Sequence, residues 1–430
     1  MTNKILIKIF SLFTLFFKKE YFGFITTNYF LSDKNLSIVK KLINVNDVNI
    51  QNKFQKKFTK FMARGECLTF ASGRMGFYFL MKSLKIKKGD EVIISAGTCS
   101  VMVNAILRCN AKPIFTDINL SNFGSDYSSI KHSITKKTKL IVAQHTGGIP
   151  CEIDRISKLC KQKSILLLED CALSFGSTYK GLMLGTYGDF ALYSMDHSKP
   201  INSMIGGIIH FNKKSFYNTV LNDYINLPEL NKLKQLKLYR RAVLESFFNS
   251  PMLYPKLLFL NPFLNLFSFF KDPFLSDDYT EKFFDSYEYP CKLPSSFSYI
   301  GILYLEKWSK IKKERKKILN LIIKQFYIKK LFHLIPKIYF QKNVDIVPLR
   351  FIYIDKLFQG KLKNFSKFLE ISSIWFKKPI ESCSIPVSKF GYKKKQCSNI
   401  ENYSGYFVNL PCNFNQRHSK TFIKKIAEII

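Results

Sequence analysis

Between residues 66 and 210 short runs of consecutive apolar residues alternate with stretches of helical period. Glu91–Ser95, Pro113–Thr116, Leu140–Ala143, Ile165–Leu168, Phe190–Ser194 and Gly207–Phe211 predict strands, while Val101–Cys109 and Ile153–Lys161 predict helices. Strands that lack polar alternation are covered on both faces, which implies an α/β fold with a mostly parallel sheet between helices. Ligands on such sheets sit outside the carboxyl ends of the strands. The texture changes after residue 211: Leu233–Arg241 is helical in pattern, and a Phe/Leu/Pro-rich stretch runs from Phe247 to Phe274. From Cys291 the pattern predicts a smaller α/β unit. It opens with a helix from Ser296 to about Gln325, with Ile300, Leu303, Tyr304 and Trp308 on one face. It closes with a strand at Tyr406–Leu410 and a helix over His418–Ile430. The organisation expected is an apolar lead-in over 1–60, a large domain over 61–290 with an insertion at about 225–285, and a small domain over 291–430.

At 430 residues and 47% hydrophobic content the chain has the composition of a globular protein. Its net charge of +36 would suit nucleic acid or an anionic surface. The basic residues are spread along the chain with no single arm or stripe, which argues against nucleic acid and leaves anionic small molecules or a membrane surface as users of the charge. Ten cysteines without C-x-x-C or metal-ligand spacing read as reduced thiols of a cytoplasmic protein, with no metal site. The apolar run Ile5–Phe17 is interrupted by Lys8 and is shorter than the roughly 20 residues that span a bilayer. It predicts either an interfacial helix or one packed on the body. The Leu/Phe-rich insertion leaves the same choice between a membrane or partner contact and internal packing.

Two residues carry the candidate chemistry. Asp170 ends the run Ser164–Asp170, and Lys199 follows the strand Phe190–Ser194, ahead of Gly206-Gly207. A carboxylate at one strand end and an amine past the next suit pyridoxal 5'-phosphate (PLP). The acid keeps a pyridine nitrogen protonated, and the amine holds the aldehyde as a Schiff base.

Residues 169–189 resemble the cofactor segment of the DegT/DnrJ/StrS-type sugar aminotransferases, which are PLP-dependent enzymes of fold type I. Similar resemblances lie in Lys88–Val92 with Thr98 and Asn104, Ala111–Asp117, His145–Pro150, Pro294–Phe297 and Tyr403–Asn413. The resemblance implies Lys199 as the Schiff-base lysine, Asp170 as the pyridinium partner and Ser194 as a phosphate ligand. It also implies Gly73 at a helix start on the phosphate, where backbone N–H groups meet the anion. Arg74 either adds charge to that phosphate or faces surface or partner. Cys99 stands where the family commonly has a ring on the cofactor face, Leu173 where Gln or His is frequent, and Ile205 where many members have Glu. His145 either shapes its Gly-Gly-Ile-Pro turn or transfers protons, and His197 and Asp196 either approach substrate or face solvent.

The resemblance further implies a homodimer that moves an amino group from an amino acid donor such as glutamate to a nucleotide-linked keto sugar. Lysine at 199 separates the chain from the family's dehydratases, which carry histidine there. The alternative expectation is a catalytically silent homologue serving as a membrane-peripheral or interaction scaffold.

Overall fold

The computed structural model describes residues 13–23, 31–45, 47–268, 270–271, 273–277, 283, 287–371 and 374–430. Most of the predicted apolar run Ile5–Phe17, its residues 5–12, thus lies outside the described residues, as do nine positions of the 225–285 insertion.

Two helices, α1 (Asp33–Val45) and α2 (Val48–Met62), lead into β1 (Glu66–Phe70) and α3 (Gly73–Ser83). The chain then alternates through β2 (Glu91–Ser95), α4 (Ser100–Arg108), β3 (Lys112–Thr116), α5 (Tyr127–Ser133), β4 (Thr138–Gln144), α6 (Ile153–Lys163) and β5 (Leu166–Asp170). A small hairpin, β6 (Thr178–Tyr179) and β7 (Leu182–Met183), precedes β8 (Phe190–Ser194) and β9 (Gly207–Phe211). Seven of these strands form one sheet in the order β1-β9-β8-β5-β4-β2-β3. Only β9 runs against its neighbours, pairing antiparallel with β1 and β8, whereas β8, β5, β4, β2 and β3 are mutually parallel. Every residue of β2 and β9 is buried, as continuous apolar runs require in a doubly covered sheet. The strand β1, whose Glu66-Cys-Leu-Thr-Phe70 sequence is apolar in only three of five places, was not evident from pattern.

The carboxyl ends of β1, β2, β4, β5 and β8 and the amino end of the reversed β9 meet along one edge. Backbone there approaches very closely: a Cβ placed on Gly207 would lie 2.3 Å from Gly73 Cα and N. That contact lets the first turn of α3 sit directly against the start of β9.

After β9 come α7 (Lys214–Ile225), α8 (Lys232–Phe247) and α9 (Tyr254–Leu264). The long helix predicted from Ser296 is two, α10 (Ser295–Glu306) and α11 (Trp308–Ile328), with a turn at Lys307. The break has a packing reason. Trp308 seats its ring against Phe175 at 4.5 Å, over Gly176, whose missing side chain makes the space. The helix α10 packs on α1 and α2 within the main core. The short β10 (Val344–Asp345) pairs with β6, and a second core gathers Ile318, Ile322 and Phe326 of α11 with β11 (Arg350–Ile354), α12 (Phe358–Phe365), β12 (Phe407–Pro411) and α14 (Ser419–Ala427). The antiparallel pair β11–β12 is the sheet of this smaller unit, and α13 (Ser398–Tyr403) ties it back to Asp117.

Substituting Gly207→Ala is expected to destabilise the fold by about 3 kcal/mol or more, because the clash is with backbone that cannot rotate away. Chemical denaturation of the variant beside wild type measures it.

Candidate active site

Two adjoining cavities open at the carboxyl edge of the sheet. The narrower, about 210 Å³, is lined by Ser72, Gly73, Cys99, Asp170, Ser194 and Lys199 among others. The wider, about 530 Å³, is lined by His197, Arg350, Lys377, Lys378, Glu381 and Asn409 among others. Leu173, Lys199 and Trp375 border both. A cavity of about 930 Å³ at the opposite edge, among Lys85, Asp90, Lys136 and Lys163, is larger but lies at the amino ends of the strands, away from Asp170 and Lys199.

Alternation along β5 sends adjacent carboxylates to opposite sides. Glu169 is wholly buried and accepts N–H groups from Gly185 (2.8 Å), Tyr187 (2.6 Å) and Gly188 (2.7 Å). It also meets His145 Nε2 at 3.2 Å. His145 Nδ1 accepts the Cys151 N–H at 3.1 Å, so this ring is an uncharged brace of its turn, with Nε2–H donating to Glu169. Asp170 points into the narrow cavity. Only 5% exposed, it accepts Ala172 N–H on Oδ1 at 3.0 Å. Burial raises its pKa, opposed by that N–H and by the positive charge of Lys199.

Lys199 is carried by a loop between β8 and β9. Ser198 N and Oγ donate to Asp196 Oδ1 at 3.0 and 2.8 Å, and Lys199 N donates to Asp196 O at 2.9 Å. These bonds shape the turn, so Asp196 acts through the backbone of the loop. Burial works against its charge, but His197 and Lys199 hold its pKa below the usual carboxylate value. Lys199 Nζ lies 5.6 Å from the centre of the Trp375 ring.

A PLP-like group fits these residues. Ser72 caps α3, its Oγ accepting Met75 N–H at 3.4 Å, and the first helical residue is Gly73. A methyl on Gly73 would meet Leu192 and Ser194 only at ordinary distances of 3.4 to 3.7 Å, so protein packing alone does not demand glycine. The space that methyl would take is the cup between the helix start and Ser194, where backbone N–H groups and the positive helix end favour a phosphate. The buried Asp170, whose pKa burial raises, suits a protonated ring nitrogen beside it. Gly73, Ser194, Asp170 and Lys199 therefore come together as the sequence suggested.

Arg74 does not add its charge to that cup. Although it borders the cavity, its guanidinium turns away to Asp277 (3.3 Å), the Leu275 carbonyl (2.8 Å) and Tyr287 Oη (3.2 Å). It is buried, and faces neither surface nor phosphate. Cys99 borders the cavity at the start of α4, with burial raising its thiol pKa. The aromatic surface that Cys99 does not supply comes from Trp375 and Phe274, which sequence reading missed. Trp375 is one of only two tryptophans in the chain, and that scarcity was the available signal. Arg350 was missed too; burial holds its pKa down to about 10, against Glu370 and Glu381, and it donates to Asn409 Oδ1 at 3.1 Å.

Residues 40–222 match the DegT/DnrJ/EryC1/StrS aminotransferase family. A GDP-perosamine synthase from Escherichia coli is 36% identical over 174 residues, covering 40% of this chain and 48% of that protein. A GDP-perosamine synthase from Vibrio cholerae is 33% identical over 158 residues, 37% of this chain and 43% of the relative. The chain thus spans about half the length of the curated relatives it matches. In fold the likeness is more extensive. An aminotransferase from Psychrobacter cryohalolentis superposes with a TM-score of 0.69 at 14% identity, covering 93% of this chain and 96% of the other. An E. coli GDP-4-keto-6-deoxy-D-mannose-3-dehydratase with bound hydrated PLP gives 0.67 at 19% identity, covering 94% and 99%. The fold is that of the PLP-dependent sugar aminotransferases.

Glu169→Gln is expected to cost about 3 kcal/mol of stability, because an amide NH₂ would face backbone N–H groups that now donate to a carboxylate. A shift in the urea midpoint with unchanged slope checks it.

Proposed function

We propose that this protein is a PLP-dependent aminotransferase that moves an amino group from an amino acid, glutamate in the simplest case, to a nucleotide-linked keto sugar. The observation that carries the reading is the presence of Asp170 and Lys199 in one cavity with the Gly73–Ser194 cup. Bound there, PLP would supply an electron sink for charge that develops at the carbon of the amino donor. Asp170 would hold the ring nitrogen protonated, and Ser72, Gly73 and Ser194 would hold the phosphate. Lys199, on the boundary of the two cavities, is the base that takes a proton from the donor carbon and returns it to the acceptor carbon. The substrates would enter the wider cavity, where Arg350, Lys377 and Lys378 favour anions such as a carboxylate or a diphosphate. GDP-perosamine in the names of the similar synthases supports a nucleotide-linked sugar, and a lysine at 199 supports transamination over dehydration. The same reading places the enzyme in the cytoplasm as a homodimer serving polysaccharide or amino-sugar synthesis. It leaves no need for a catalytically silent scaffold.

A peripheral membrane contact accompanies this reading. Phe17 and Leu266 are 78% and 82% exposed, beside the exposed Phe13, Phe16, Phe263 and Phe267. Phe13 and Phe16 pack on Phe259 of α9, so the N-terminal segment and the insertion share one apolar surface. Lys18, Lys19, Lys256 and Lys271 lie in the same two segments, a composition suited to an anionic bilayer. No helix among the described residues is long and apolar enough to cross a membrane.

Purified protein given PLP should show the visible absorbance of a lysine-bound cofactor, and Lys199→Ala should abolish it. A colourless wild type in excess PLP would overturn the assignment. Incubation with glutamate and a panel of nucleotide-linked keto sugars, with mass detection, should then yield one aminated sugar. For the surface, flotation with anionic liposomes should retain full-length protein and lose a form lacking residues 1–19; equal flotation of the two would end the membrane reading.

A further inference from the structure

The loop that carries Lys199 is held from outside by a part of the chain far from the sheet. His197 Nδ1 lies 2.8 Å from Glu245 Oε1 on α8, and Arg241 Nε donates to the same oxygen at 2.7 Å. Arg241 is fixed in turn by Asn261 of α9, at 2.6 Å. The His197 ring also lies against Phe274, with centroids 4.2 Å apart. Phe274 and Leu275 wall the narrow cavity. Two residues further on, Asp277 pairs with Arg74 of α3 and with Arg108 of α4, and its carbonyl accepts Asn104 Nδ2 at 2.8 Å. The region after Phe211 therefore grips three cavity-forming elements: the lysine loop, the phosphate-side helix and the helix that follows Cys99.

Within the loop, the Asp196 turn and the bonds of Met195 and Ser203 to Gly206 and Met195 fix its shape. Its angle to the rest of the site has the His197 contact as an outside anchor, two residues before the lysine. We propose that α8 and residues 273–277 form an intrachain arm that positions Lys199, and that His197 is the positioning residue through which the arm acts. The proposal rests on Lys199 being the cofactor lysine, and it goes beyond that reading by giving the insertion a function. The charges facing His197 are Glu245, Asp196 and Arg241. Burial and Arg241 oppose its protonation, but Glu245 and Asp196 outweigh them and raise its pKa, so the tie is a charge-assisted bond.

The test uses the full chain with His197→Ala, Glu245→Ala and His197→Asn. An asparagine amide can donate to Glu245 from the place of Nδ1 without a titrating ring. In cofactor-free protein, hydrogen exchange of the amides over 195–203 should accelerate roughly tenfold or more in both alanine variants, with 207–211 unchanged. With PLP and both substrates, kcat should fall about 10- to 100-fold in these variants, as expected for a displaced reacting group, while KM values stay within about threefold. His197→Asn should restore both readouts. Unchanged exchange in His197→Ala, or equal impairment of His197→Ala and His197→Asn, would overturn the proposal. Should Glu245→Ala fail to fold, the two His197 variants decide alone. The exchange result stands even if the protein binds no PLP, so failure of the arm and failure of the cofactor reading are told apart.

Discussion

The carboxylate of Glu169 is the constraint on which the site depends. Inside the main core it accepts three backbone N–H groups from the turn over 185–188 and braces His145 after β4. One side chain thereby sets β5, the end of β4 and the entry to β8 relative to one another. A buried acceptor with this many donors is stable where an unpartnered one would not be. Its neighbour Asp170 is one residue further along the same strand, and the alternation of β structure turns it to the cavity side. The fixed frame of Glu169 thus delivers a second carboxylate, poorly provided with partners, to a place where a cationic ligand is favoured.

Buried carboxylates take different roles according to their neighbours. Glu169 is saturated by backbone donors and holds structure; Asp170 has one N–H donor and a raised pKa; Glu245 is paired with His197 and Arg241 and lies below its usual value. Burial raises the cost of charge on Asp170 and Glu245 alike, and the His197 and Arg241 charges beside Glu245 reverse its shift. The arginines divide likewise. Arg74 is neutralised by Asp277, whereas Arg350 sits beside substrate-sized space with a pKa held down to about 10 by burial. Proximity to a site in sequence therefore says less about an arginine than the acid that reaches it from elsewhere.

Much of the fold was legible because continuous apolar runs have one comfortable setting, a strand covered on both faces. The spans read for β2, β8 and β9 coincide with the strands, and those for β3, β4 and β5 differ only at their ends. β1 escaped because Glu66 and Thr69 interrupt its run, and the turn at Lys307 escaped because it serves Trp308 and Gly176, 132 positions apart in number. In the site, Asp170, Ser194, Lys199 and Gly73 were legible since strand ends and helix starts carry them. Arg74 was misplaced, and Trp375, Phe274 and Glu245 were missed, for a common reason: each depends on a contact between segments remote in sequence, which periodicity does not encode.

Those remote contacts also explain how the chain tolerates its departures around the cofactor edge. Cys99, Leu173 and Ile205 replace polar or aromatic groups with small or apolar ones, and all three still border the narrow cavity. An apolar lining needs a ring to bound it and a fixed frame to keep it from collapsing. Trp375 from the smaller unit and Phe274 from the insertion are the rings, and the Asp277 ion pairs with Arg74 and Arg108 fix the segment that carries Phe274. The loss of polar contacts near the sheet is therefore matched by aromatic and ionic contacts brought from outside it. A segment that sequence pattern would treat as peripheral becomes, by this account, one wall of the site.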